Sequence, residues 1–173
     1  PYGWSLASLS FSPWASQGRV FGRDPQRGDV VVFRRPHRPS ESWIKRVIGL
    51  PGDRVRVQGG QVFVNGQALA QTPLGGGFDP DEPTIPIQRL RETQGEGRAY
   101  VIHDRGPDQP GDDRDEIVVP AGHYLVMGDN RDNSLDGRWP AHVGVGLLPA
   151  GNLMGRAEWI VASWKPGAGL FLP

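Results

Sequence analysis

The chain has 173 residues, enough for one ordinary domain or for a core with a smaller appendage. Its 19 basic and 19 acidic residues cancel and are mixed along the chain, so no basic stretch suggests a nucleic-acid footprint. Twenty-five glycines and 17 prolines make long helices unexpected, and the absence of cysteine excludes disulfides and thiolate metal sites.

In chain order, "RGDVVVF" (27–33) reads as a turn feeding a buried strand. The Arg27-Gly28-Asp29 triplet also matches an adhesion motif, but three residues are a weak match beside the turn reading. "SWIKRVIGL" (42–50) is a second strand, ended by Pro51-Gly52. "DRVRV" (53–57) alternates charge with valine at period 2, the mark of a half-buried strand. "QVFV" follows, and Asn65-Gly66 is a strong two-residue hairpin signal. Residues 71–97 and 104–114 are rich in Gly, Pro and Asp, and read as long loops or parts of an appended subdomain. Further strands are expected at 98–104, 115–120, 123–129 and 155–164, with a short helix around 147–153. The fold class is therefore all-β, mainly antiparallel sheets with short helical pieces. A discontinuous β core of 1–57 and 117–173 is expected, interrupted by an inserted hairpin and loop-rich subdomain at 58–116. No apolar run approaches the roughly 18 residues that span a bilayer. No signal peptide is visible at the start. Six tryptophans, among them Trp4, Trp14, Trp159 and Trp164, suit either core packing or contact with a bilayer surface.

Seventeen of the 19 basic residues are arginine; the two lysines are Lys45 and Lys165. In an extended strand Trp43, Lys45 and Val47 share one face, and Ile44, Arg46 and Ile48 the other. Apolar neighbours disfavour the ammonium form. Bringing a lysine from its ordinary pKa of about 10.4 to about 8 takes about 3 kcal/mol, and a neutral lysine is a competent base for a serine hydroxyl. A lysine can equally guard an edge strand against aggregation. Pattern alone leaves both readings open.

A second constellation, "MGDNRDNSLDGR" (127–138), follows an apolar strand. It can be a solvated turn full of Asx hydrogen bonds. As an EF-hand loop it fails, because position twelve is Val143 and no helices flank it. It can also be rigid support for a site. Asp136 and Arg138 are two apart and can pair, Asp129 and Arg131 repeat that spacing, and Ser134 between them can bond a nearby amine.

Taken together, "RGDVVVFRRP" (27–36), "WIKRVIGLPGD" (43–53), "VFVNG" (62–66), "GHYLVMGDNRDNSLDGR" (122–138) and "VGVGLLPAGNLMGRA" (143–157) resemble bacterial type I signal peptidase. That family is a group of Ser–Lys serine endopeptidases that remove signal peptides. The resemblance implies a signal-peptidase-like β core. It makes Lys45 the general base of the dyad and Ser134 the residue that bonds and holds its amine. It makes Asp136 and Arg138 a supporting salt bridge, with Gly128, Asp129, Arg131 and Arg46 shaping the site. Trp43, Ile44 and Ser42 would contact substrate along a strand edge. Trp43 stands where the family more usually has tyrosine, and Gly137 where it more often has serine.

The family's nucleophile lies in a Ser-Met-x-Pro-Thr motif. The methionines here are Met127 and Met154, so no Ser-Met pair exists and no serine is assigned that role. "PYGWS" resembles the segment soon after the motif, so the chain is expected to begin past both nucleophile and membrane anchor, and to be inactive alone. The implied partners are signal peptides of secretory pre-proteins and the nearby membrane surface, with no nucleic acid, no cofactor and no metal, and a monomer is expected. The implied location is the bacterial inner membrane, catalytic side outward, with this chain itself soluble. Competing readings are a pilin-processing peptidase of the same superfamily, a self-cleaving repressor, and a β module that binds extended peptides without cutting them.

Overall fold

The computed structural model describes residues 23–95 and 97–157. The described residues form twelve strands and one 3-10 turn, Ala150–Asn152. Strands β1 (Val30–Arg35) and β2 (Arg38–Gly49) make a hairpin in which Val31 faces Lys45 and Phe33 faces Trp43. Next come β3 (Arg54–Gln58), β4 (Gln61–Val64) and β5 (Gln67–Ala68). Asn65 and Gly66 both take positive φ, 52° and 80°, which is the turn geometry their identities favour. Strands β6 (Ala70–Phe78), β7 (Pro86–Gln94) and β8 (Arg98–Asp104) follow, then β9 (Arg114–Val118), β10 (His123–Met127), β11 (Leu147–Pro149) and β12 (Leu153–Arg156).

Three antiparallel sheets result, ordered β11-β10-β2-β1-β12, β5-β4-β3-β9 and β6-β7-β8. Period-2 alternation divides the core. Val31, Phe33, Val47, Tyr124, Val126, Val145, Leu148 and Leu153 pack on one face of the five-stranded sheet, with Trp43 against them. Ile48, Leu125 and Met127 point the other way and meet Val55, Val57, Val62 and Val64 of the four-stranded sheet. Most of these residues are almost fully buried, and burial of apolar surface is the main force holding the two sheets together.

The Gly/Pro-rich stretch differs most from its sequence reading. Residues 70–78 and 86–94 are strands, paired from Ala70–Thr93 to Phe78–Pro86. Propensity works against strand there, but the ladder to β8, running from Gln88–Asp104 to Gln94–Arg98, recruits it. The helix expected near 147–153 is a short strand followed by one 3-10 turn. The border expected at 57/58 falls inside β3, and that at 116/117 inside β9, two strands that pair with each other in the four-stranded sheet with a register shift between Val55 and Val57. Of the strand expected at 155–164, residues 155 and 156 belong to β12 (Leu153–Arg156), Ala157 is outside it, and 158–164 lie outside the described residues, as do Trp4, Trp14, Trp159, Trp164 and Lys165.

Candidate active site

Strand β2 is the centre of the site because it outruns one neighbour. Against β1 it pairs from Arg46 to Arg38. Against β10 it pairs only at Gly49, Val47 and Arg46, the last facing Met127. Among the described residues, 38–45 therefore keep one edge unpaired. One antiparallel step beyond the Arg46–Met127 pair brings Gly128 level with Lys45. There the chain leaves the sheet and enters the polar loop 128–138.

Lys45 is half-buried. Its Nζ lies 5.7 Å from the centre of the Trp43 ring, whose own ring carries the Arg35 guanidinium at 4.4 Å. Arg35 is fixed by Glu41 at 3.1 Å and by donation to the Val143 carbonyl at 2.7 Å, so the indole wall beside Lys45 is braced. Burial lowers the Lys45 pKa from its ordinary value; Asp136 pulls it back up, Arg138 pushes it down, and Asp129 pulls it up. No ion pair to Lys45 forms among the described residues. Lys45 lies on the unpaired stretch of β2, where an edge guard would stand, but a guard needs an ammonium in water, and half-burial against Trp43 disfavours the charged form.

The loop is held by its own backbone and by arginines. The Gly128 N–H donates to Asp136 Oδ2 at 3.0 Å, and Gly137 N–H to the Val126 carbonyl at 2.8 Å. Asp136 is fully buried and receives Arg138 through Nε at 3.0 Å, Nη2 at 2.9 Å and its backbone N–H at 3.0 Å. Arg138 also donates to the Arg131 carbonyl, closing the loop on itself. Ser134 packs against Gly128 so tightly that a methyl group on Gly128 would sit 2.2 Å from Ser134 Oγ. Among the described residues that buried hydroxyl oxygen has no hydrogen-bond partner, and no bond joins it to Lys45. The Ser134 carbonyl accepts from Trp139 Nε1 at 3.0 Å.

The two equal spacings behave differently. Asp136 and Arg138 pair with each other, whereas Asp129 and Arg131 bond outward. Asp129 binds Arg46 at 2.8 and 2.6 Å, and Arg131 binds the buried Glu92 of β7, through Nη1 at 3.0 Å and through Nη2. A tight turn points neighbouring side chains apart, so spacing alone does not decide the partner. Ile44 is 55% exposed and points away from Lys45; Ser42 shares that face, with its Oγ 3.5 Å from Met154 Sδ. Trp43 is on the Lys45 side. Sequence reasoning missed Glu92, Tyr100 and Gln71, which meet in one hydrogen-bonded cluster. A signal was available: Leu90, Glu92 and Gln94 share period-2 spacing, which put a carboxylate on an inward-facing row.

No group of three or more metal-ligating side chains gathers among the described residues. No described helix is long and apolar enough to cross a membrane. What the arrangement offers is a half-buried amine, a braced aromatic wall, a buried hydroxyl and an open strand edge.

A family model described as signal peptidase, peptidase S26, matches residues 8–164. Signal peptidase I of Rickettsia massiliae (strain Mtu5) is 38% identical over 173 residues, covering 95% of this chain and 62% of the relative. That of Rickettsia prowazekii (strain Madrid E) is 38% identical over 172 residues, covering 95% and 63%. The chain thus spans a little under two thirds of the length of these curated relatives. A crystal structure of a signal peptidase I from Enterococcus faecalis V583 covers 79% of this chain and 98% of its own, with a TM-score of 0.47 and 23% identity.

Proposed function

We propose, from the premise that this chain belongs to the signal peptidase family, peptidase S26, that it supplies the base and the substrate edge of an endopeptidase that removes signal peptides from secretory pre-proteins. The observation that carries the reading is the state of Lys45: half-buried against Trp43, without an ion pair among the described residues, and shifted toward its neutral form. Neutral Lys45 takes the proton of a serine hydroxyl as that oxygen attacks the scissile carbonyl. It then gives a proton to the leaving amine and later activates the deacylating water. None of the nine serines of the chain is assigned the nucleophile's part.

Ser134 serves as the acceptor that orients the Lys45 amine. Its buried, unpartnered oxygen costs about 1–3 kcal/mol until it is satisfied, so donation from the Lys45 amine to it would be favourable. Asp136 and Arg138 hold the loop that carries it. An extended substrate adds as a strand along the unpaired edge of β2, near Ser42, Trp43 and Ile44. The membrane surface beside the site and a location on the outer face of the bacterial inner membrane belong to the same reading.

The test uses the intact gene product and a secretory pre-protein. Lys45→Met, which keeps the length and loses the amine, is expected to slow cleavage about a hundredfold or more. Cleavage at the wild-type rate would overturn the assignment.

A further inference from the structure

We propose that Glu92 is a positioning residue of this site: through Arg131 it holds the 128–138 loop from behind, so that Ser134 and Asp136 stay beside Lys45. The proposal rests on the reading of Lys45 as the base, and deepens it.

Arg46 and Lys45 project to opposite faces of β2. On the Arg46 face, its guanidinium stacks 4.0 Å from the Tyr100 ring centre and clasps Asp129. The Tyr100 hydroxyl donates to Glu92 Oε1 at 2.8 Å, and Gln71 Nε2 donates to Glu92 Oε2 at 3.0 Å. Both Glu92 oxygens also receive Arg131. Glu92 is fully buried and Arg131 is 4% exposed, so neither charge can turn to water. Arg131 in turn donates through Nε to the Gly128 carbonyl at 3.2 Å. Gly128 is the residue level with Lys45 and in contact with Ser134. The route from β7 to Ser134 therefore has three steps, each a hydrogen bond or a close contact.

The backbone adds a second hold. The His103 N–H of β8 donates to the Asp129 carbonyl at 2.8 Å, and Arg131 N–H donates to the His103 carbonyl at 2.9 Å. The three-stranded sheet is thus joined to the loop by main chain and by a buried ion pair. Such a pair is weak evidence for net stability, but losing one partner strands the other charge. With Glu92 neutralised, Arg131 must seek water or Asp136. Either movement draws the loop off Lys45 and readmits solvent to its amine.

The experiment exploits the two lysines of the chain. With 13C-labelled lysine, the side-chain signals of Lys45 and Lys165 are the only two to follow through a pH titration. Glu92→Gln is expected to raise the Lys45 midpoint by about half a pH unit or more. Arg131→Gln should do the same, and the double variant should add nothing. Val62→Ala, which opens a hole in the sheet-to-sheet core and lowers thermal stability comparably, should leave the midpoint in place. Should Glu92→Gln fail to fold, Tyr100→Phe removes one hydrogen bond to Glu92 while keeping the ring, and should raise the midpoint by less. A wild-type midpoint below the ordinary lysine value that stays put in Glu92→Gln and Tyr100→Phe, or moves as much in Val62→Ala, overturns the proposal. A wild-type midpoint at the ordinary value instead overturns the reading of Lys45 itself.

Discussion

Arg46 grips both carboxylate oxygens of Asp129, at 2.8 and 2.6 Å, directly behind Lys45 on the same strand. The side chain of Asp129 is 43% exposed, so the pair adds little stability by itself. Its effect is felt by the neighbour, because the Asp129 charge holds the Lys45 pKa up against burial. Asp129→Asn is expected to lower the Lys45 midpoint by a few tenths of a pH unit. Lysine 13C titration reads this directly, and a rise would show that the carboxylate acts by another route.

Activity should carry the same signature. A base whose neutral form is favoured by burial works over the pH range above its lowered pKa. Cleavage by the intact protein should therefore rise with pH and level off below the ordinary lysine value of about 10.4. Folding stability follows the same sign. Between the lowered native pKa and the unfolded value the unfolded chain binds more protons at Lys45, so this contribution grows as pH increases. A rate still climbing through pH 10.4 would contradict the desolvated amine.

Gly128→Ala is a packing test. The added methyl would lie 2.2 Å from Ser134 Oγ and 2.6 Å from Ser134 Cβ, so the loop must move. A loss of about 1–3 kcal/mol in denaturant unfolding is expected, with a larger proportional loss of cleavage. Unchanged stability would mean that the loop can yield.

Acid should act through Asp79. Burial raises its pKa, but Arg105, the Asp81 N–H and Asn130 outweigh this and bring it to about 2. A carboxylate with a depressed folded pKa contributes stability above its unfolded pKa of about 3.9 and loses it as pH falls toward the folded one. Asp79→Asn should therefore flatten the fall of melting temperature between about pH 4 and pH 2. An equally steep fall would place the acid sensitivity elsewhere. Asn130 Nδ2 bonds Asp79 at 3.0 Å, so the same substitution also probes a tie between β6's end and the loop.

The regular strands were readable because their cause is local. "QVFV" and "RAYVIHD" are short apolar runs rich in strand-forming residues, and β4 and β8 start and stop where the sequence reading put them. Lys45 stood out because lysine is scarce, and the 128–138 loop because polar residues crowd behind an apolar strand. What stayed hidden depends on partners distant in sequence. Strand β6 is "AQTPLGGGF", which no propensity favours as strand; it forms because β7 lies ready beside it. Glu92 could be placed on an inward row but not matched to Arg131, 39 residues away. Asp129 and Arg131 looked like a pair until turn geometry sent them to Arg46 and Glu92.

The ion pairs that frame the site, Arg35–Glu41, Arg46–Asp129, Arg131–Glu92 and Arg138–Asp136, are all made by arginine. A guanidinium keeps its proton in strongly alkaline solution, whereas an amine does not. The scaffold and the Lys45 amine therefore answer to different regions of the pH scale. Alkali can strip the charge from the one without unfastening the other, so the amine can titrate while the frame around it stays locked.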